Sequence, residues 1–314
     1  MPDLAEPIEL LSWPPSEGQG GPYPAIGDLD GDDVPDLIVG NSSGRMLCYR
    51  NAGTRETPEF EKPFCFDEIC PGGRIPTGSG GADFRPQFVD VDGDGRLDLL
   101  TGSGNPSDRM PGFYWFRRES DGRFSAQPKV RVRVQGEGQP IRLGTTLLDW
   151  DGDGKLDVVS APYGLVPIAS LYVSSGPWSL DGEVATSLEL KAGPGSGTFL
   201  ACLVDWNREG HLIAFAAYQR VARRLDLECY PHLGNPRALV KVAGDQLLSF
   251  PESDHPTGFS TGDWDGDGFP DLVVGLWRTS ESPTGTVGIQ SGVIQIYKRR
   301  PGGTARLTSA GRAG

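Results

Sequence analysis

Five times along this 314-residue chain an acidic loop opens at an aspartate and runs at once into a short apolar stretch. The copies begin at positions 28, 90, 149, 205 and 263, separated by 62, 59, 56 and 58 residues. A near-constant period identifies a repeat architecture and outranks the reading of any single segment. The intact copies are "DLDGDDVPDLIVG", "DVDGDGRLDLLTG", "DWDGDGKLDVVSA" and "DWDGDGFPDLVVG", while "DWNREGHLIAFAA" is a worn one.

Each unit carries four apolar runs. One enters the loop, and a nearly continuous one leaves it: Leu37–Val39, Leu97–Leu100, Val158–Val159 and Leu272–Val274. Runs apolar on both sides belong to strands covered on both faces. A third follows in "RMLCYR", "GFYWFRR", "ASLYVSS", "RLDLECY" and "GVIQIYKRR", and a fourth in "FEKPFCF", "FSAQPKVRVRV", "EVATSLEL" and "ALVKVAG". The alternation of Lys129–Val134 suits an exposed edge strand. Gly (45) and Pro (27) supply the turns between short strands, so the composition agrees with an all-β chain.

Four strands per unit, repeated radially, predict a five-bladed β-propeller of four-stranded antiparallel blades. The blades fall at about 22–70, 83–135, 143–191, 197–244 and 256–298, in a single domain spanning 1–300. The fifth unit lacks a fourth strand, and only a polar tail expected to be disordered, 301–314, follows it. "PIELLSW" (7–13) is predicted to pair beside Gly292–Lys298 and close the ring.

The loop spacing D-x-D-x-D-x-x-x-D places carboxylates at positions 1, 3, 5 and 9, with an inward backbone carbonyl at position 7. Like charges at this density call for a cation between them. Hard oxygen donors in this number suit Ca²⁺, which takes six to eight oxygens; Mg²⁺ keeps its waters, and zinc or copper would want His or Cys. Glycines at positions 4 and 6 permit the positive φ that wraps a chain around an ion. An EF-hand is rejected, because position 12 is Val39, Thr101, Ser160 or Val274 and strands flank the loop. The worn copy has Ile213 at position 9 and Arg208 at position 4, so the site around Asp205 is expected to be empty, with Arg208 holding the turn.

The formal charge of −13 argues against nucleic acid as a partner, and four dications would bring it to about −5. No apolar stretch has the roughly 18 residues of a membrane helix, so a soluble chain without membrane insertion is expected. "MPDLAEPIELLSW" does not read as a signal peptide. Cys48, Cys65, Cys70, Cys202 and Cys229 are odd in number and lack metal spacing; buried thiols and a Cys65–Cys70 bridge both remain open.

These loops resemble the calcium loops of FG-GAP and VCBS repeats, the family of the integrin α-subunit propeller; "YRNAGT" (49–54) is also similar. The resemblance implies four calcium sites. The first uses Asp28, Asp30, Asp32 and Asp36 with the Val34 carbonyl, and the second Asp90, Asp92, Asp94 and Asp98 with Arg96. The third uses Asp149, Asp151, Asp153 and Asp157 with Lys155, and the fourth Asp263, Asp265, Asp267 and Asp271 with Phe269. The Phe-Gly and Gly-Ala-Pro signatures are largely missing, and the family usually has seven blades rather than five.

The resemblance further implies calcium between the first and second strands at one face of the ring, and a ligand at the opposite face. Aromatic and charged residues in the loops expected there are Trp13, Tyr23, Arg74, Arg85, Arg109, Tyr163, His255, Trp277 and Arg278. Stacking surface with orienting hydrogen bonds is what sugar or peptide recognition uses. Trp150, Trp206 and Trp264 each follow the first aspartate of a copy and are expected to pack. The sequence is read as a calcium-stabilised, secreted binding or adhesion module, monomeric, recognising carbohydrate or protein. Weak calcium sites fill where calcium is abundant, hence an extracellular or periplasmic location. The alternatives are a polysaccharide lyase or hydrolase on the same scaffold, and a structural part of a surface assembly. Catalysis would need a converging cluster, and Glu252, Asp254 and His255 are the only notable set.

Overall fold

The computed structural model describes residues 4–13, 22–41, 45–73, 84–103, 112–128, 130–131, 145–148, 156–160, 168–172, 184–189, 198–204, 206, 213–219, 225–231, 245–281 and 287–300. The described elements are strands and one 3₁₀ turn, Phe66–Glu68. The first strand, β1 (Ile8–Trp13), stands apart in sequence from the sheet it joins.

One sheet has the order β2 (Tyr23–Gly27), β3 (Asp36–Gly40), β4 (Met46–Tyr49), β5 (Phe64–Cys65). The next contains β6 (Phe84–Val89), β7 (Asp98–Ser103), β8 (Gly112–Arg118), β9 (Phe124–Ala126) and β10 (Val130–Arg131). A third orders β11 (Thr145–Leu148), β12 (Asp157–Ser160), β13 (Ile168–Tyr172), β14 (Val184–Glu189). A fourth orders β15 (Thr198–Val204), β16 (Ile213–Gln219), β17 (Leu225–Pro231), β18 (Asp245–Ser249). The last runs β19 (Asp254–Gly262), β20 (Asp271–Glu281), β21 (Val287–Tyr297), and β1 completes it. All pairings within the sheets are antiparallel, with Ile8 opposite Ile296 and Trp13 opposite Gly292.

Three details differ from the sequence reading. The second sheet has five strands, because the run "FSAQPKVRVRV" is split: β9 and β10 pair with opposite ends of β8 on either side of Pro128. Proline has no N–H for the ladder, so Gln127 donates to the Trp115 carbonyl (2.9 Å) and pairing stops there. Leu97 is 51% exposed because the buried strand begins one residue later. The fourth strand of the fourth sheet is Asp245–Ser249, where Leu248 lies opposite Leu227 and packs against the core that holds Trp206 and Phe250; "ALVKVAG" lies outside the described residues.

Alternation along the second strand of a sheet explains how the sheets stack. Leu37 and Val39 face one core with Trp264, Val273, Ile294 and Ile296, while Ile38 faces another with Leu99, Phe116 and Phe66. Likewise Leu272, Val274 and Leu276 join Trp206 and Val293, and Val273 points the other way. Side chains two apart share a face, so a strand apolar throughout serves two cores and joins three sheets. The first strands are neighbours: β2 lies against β6 and β19, β6 against β11, β11 against β15, and β15 against β19. Cys48, Cys65 and Cys70 are free thiols.

Candidate metal centres

The acidic loops are the hairpin turns β2–β3, β6–β7 and β19–β20. Their closure is dictated by the position-1 aspartate. Asp28 accepts from the N–H of Asp30 (3.1 Å), Gly31 (2.6 Å) and Asp33 (3.1 Å). Asp90 accepts from Gly93 (2.8 Å), Asp94 (3.1 Å) and Gly95 (2.8 Å), and Asp263 from Gly266 (2.7 Å) and Gly268 (3.0 Å). Position 5 repeats the device one turn later: Asp32, Asp94 and Asp267 accept from Val34 (2.8 Å), Arg96 (3.0 Å) and Phe269 (2.8 Å). These bends need φ > 0 at positions 4 and 6. Gly31, Gly93 and Gly266 supply it at the first (88°, 74°, 75°), Gly95 and Gly268 at the second (84°, 88°). In the first loop the second is Asp33 at 66°, a residue that tolerates this region better than most.

The position-9 aspartate does something different. Asp36, Asp98 and Asp271 are buried at the start of the second strand. Each accepts the N–H of position 2: Leu29 (2.7 Å), Val91 (3.1 Å) and Trp264 (3.0 Å). Each also accepts the N–H of the residue leaving the third strand: Asn51 (2.7 Å), Arg118 (2.6 Å) and Arg299 (2.8 Å). Asp98 takes a further bond from Trp115 Nε1 (3.0 Å). The carboxylate thus ties loop to sheet. Asp98→Ala would remove the acceptor of one buried and two part-buried donors, and a loss of about 3 kcal/mol is expected in urea unfolding; a change under about 1 kcal/mol would contradict this role.

Burial pushes the Asp36 and Asp271 carboxyls up to about 6, against the N–H bonds that lower them, and raises Asp98 as well. In chain stripped of metal, a folded-state pKa above the unfolded one means that the native state binds the extra proton. The stability from these two groups is then full below the ordinary carboxylate range and lost as pH rises through about 6. The urea midpoint of chelated protein is expected to be higher at pH 5 than at pH 7; an equal or lower value at pH 5 would refute it. A dication among the loop oxygens removes this penalty by favouring the ionised form.

Oxygens of Asp28, Asp30 and Asp32 lie within 4.8 Å of one another, as do those of Asp90, Asp92 and Asp94, and those of Asp263, Asp265 and Asp271. Three convergent hard donors fit a calcium ion and offer no soft ligand to zinc or copper. Those residues would hold the ion, which would supply charge neutralisation and cross-linking of the loop. The sequence-derived ligands of the third loop, Asp149, Asp151, Asp153 and Lys155, and the side chain of Asp157, lie outside the described residues, as do Asp205 and Arg208.

Basic residues at the end of the third strand, which the sequence reading passed over, complete the sites. Arg50 Nε reaches Asp30 (3.6 Å), Arg117 reaches Asp92 (2.5 Å) and Asp94 (3.0 Å), and Lys298 reaches Asp265 (3.7 Å). Other arginines cross between sheets to loop carbonyls. Arg118 bonds to Asp28 O, Arg299 to Trp206 O, and Arg55 to Asp263 O (3.2 Å) and Trp264 O (3.0 Å), while Arg55 also bonds to Asp33 O (2.6 Å) in the loop of its own sheet. The signal was legible: "CYR", "FRR" and "YKR" close the third run in three copies. Arg118→Ala, which also removes a cation–π contact on Phe124 (5.3 Å), is expected to lower stability by about 1–2 kcal/mol in urea unfolding. An unchanged midpoint would show that this bridge carries nothing.

The candidate ligand residues lie at the opposite ends of the strands. Tyr23, Arg85 and His255 stand at the starts of β2, β6 and β19, away from the loops. Arg85 lies over the Tyr23 ring at 4.7 Å. Tyr23 and Trp277 are buried, and Trp13 stacks on Tyr49 (centroids 6.5 Å apart) and covers Gly292, so these three serve packing. Trp206 and Trp264 are fully buried, as expected of position 2. Arg278 is committed to Asp254 (3.1 and 3.3 Å) and to Glu9 of β1 (3.0 Å), and His255 Nε2 to Thr279 Oγ1 (3.3 Å). Glu252 has no described bond to that set. Arg74, Arg109, Tyr163 and Trp150 lie outside the described residues.

Antiparallel sheets whose first strands are mutual neighbours, with acidic turns between first and second strands, define a β-propeller. The FG-GAP-like repeat model matches residues 28–101 and 90–160, so this part of the propeller is built of FG-GAP-like repeats. Its fold is similar to that of the α-L-arabinanase of Penicillium chrysogenum complexed with arabinobiose, at 13% identity and a TM-score of 0.52, covering 94% of this chain and 98% of that one. It is also similar, at 17% identity and a TM-score of 0.32, to the V. cholerae biofilm matrix protein Bap1, covering 91% of this chain and 41% of that one. No curated protein matches the sequence.

Proposed function

We propose that the protein is a calcium-stabilised binding module of five blades, closed into a ring by β1, that recognises carbohydrate or protein at the face opposite its acidic loops. The observation that carries this reading is the polarity of the sheets. Every described loop end gathers carboxylates, while Arg85 and His255 stand at the other end, at the starts of β6 and β19. The cycle of first-strand neighbours and the β1–β21 pairing support the ring. Four loops bind calcium and the worn fifth does not, and the module works as a monomer outside the cytoplasm, where calcium is abundant. Binding rather than catalysis is favoured because Asp254 and His255 are engaged by Arg278 and Thr279.

An array of glycans and extracellular proteins, probed with the full chain in millimolar calcium and again with chelator, tests the reading. Calcium-dependent retention that weakens in Arg85→Ala is expected. No retention on any surface, or retention indifferent to Arg85, would overturn the assignment of this face. Release of shortened or unsaturated glycan would establish an enzyme instead.

A further inference from the structure

The three described acidic loops share a backbone design but not an electrostatic one. Strand register explains why each has a basic neighbour. Leu37 pairs with Tyr49, Leu99 with Phe116 and Leu272 with Tyr297, so the next residue along, Arg50, Arg117 or Lys298, stands beside the position-9 aspartate and reaches toward position 3. In the first and last loops that reach stops at 3.6 and 3.7 Å from a single carboxylate, beyond hydrogen-bonding distance. In the second, Arg117 bonds to Asp92 (2.5 Å) and to Asp94 (3.0 Å), spanning positions 3 and 5. Arg96, at position 7, adds its own guanidinium to Asp94. Arg118 and Arg55 also approach loops, but at backbone carbonyls, leaving the carboxylates of the first and last loops with no comparably close partner among these arginines.

We propose that Arg117, helped by Arg96, is a built-in counter-ion of the second loop, making that loop the weakest calcium site of the three and the one that holds its shape without metal. The inference rests on the calcium reading above. A guanidinium bridging two of the donors competes with the ion twice over. It occupies the oxygens that the ion needs, and its charge repels a dication a few ångströms away. Arg50 and Lys298 stay close enough to balance charge without seizing a ligand pair. A graded set of sites would let the fold keep calcium in its first and last loops while the second empties.

Calorimetric titration of the full chain with calcium chloride tests this. Arg117→Gln is expected to tighten the weakest class of sites by on the order of tenfold, and Arg50→Gln to change affinity only about twofold. Asp92→Asn should abolish that same weakest class. Arg96→Gln offers a second reading of the same sign should Arg117→Gln fold poorly. Parent protein that binds calcium normally while Arg117→Gln and Arg96→Gln leave its weakest constant unchanged or weaker overturns this inference alone. A parent that takes up no calcium overturns the calcium reading and this inference together.

Discussion

Chelating calcium from the protein is expected to lower its thermal midpoint by roughly 15 °C. Each described loop carries at least four carboxylates, with the buried Asp36, Asp98 or Asp271 among them. A site saturated at about 100 times its dissociation constant contributes about 2.7 kcal/mol, so three such loops contribute about 8 kcal/mol. For a chain of this length each kilocalorie moves the midpoint by about 2 °C. The effect should be specific: magnesium, smaller and reluctant to lose water, should restore little of it. Scanning calorimetry in millimolar calcium and in chelator makes the comparison. Equal midpoints would mean that the acidic turns are held by their own hydrogen bonds and cations alone.

Gly275→Ala is expected to cost about 3 kcal/mol. A Cβ there would stand 2.2 Å from the Pro22 carbonyl oxygen, 2.8 Å from Pro24 Cδ and 3.0 Å from the Pro22 carbonyl carbon. These are mainly backbone atoms, and the carbonyl is pinned by Thr257 Oγ1 (2.9 Å), so nothing flexible can give way. The site is where β20 of the last sheet meets β2 of the first, and Gly258 closes on the same carbonyl at 2.8 Å. Overpacking a joint between two backbones strains both sheets. Gly288→Ala, in β21 with nothing within 4 Å of its Cβ, should stay within about 0.5 kcal/mol. Urea unfolding of the two variants that gave similar midpoints would show that the sheets do not meet as closely as described.

The second strands and the loops were legible because their signals are local: a carboxylate pattern with glycines between, then an unbroken apolar run. The β1–β21 pairing was legible for a different reason. One unit lacked a strand, and the chain began with a spare. Outer strands were read less well, since pairing on one edge only leaves short, weak patterns. Pro128 split one such strand in two, and another is Asp245–Ser249, a stretch that the apolar pattern did not single out. At the sites, spacing marked position 9 as a candidate ligand but did not show it as the buried acceptor joining loop to sheet. That role depends on the N–H of Asn51, Arg118 and Arg299, far along the chain. The cations of the third strand were in plain view as "CYR", "FRR" and "YKR", yet only strand register shows that they converge on the aspartates. Aromatic residues were the least legible: Trp13 and Trp277 could have faced a ligand as readily as a core, and the structure uses both for packing.

Equilibrium dialysis of the full chain against labelled calcium, with the bound ion counted per molecule, bears most directly on the account. Four ions per chain are expected at saturation, falling by one in each of Asp28→Asn, Asp92→Asn and Asp263→Asn. A chain that retains no calcium at millimolar concentration, or a count that these substitutions leave untouched, would contradict it.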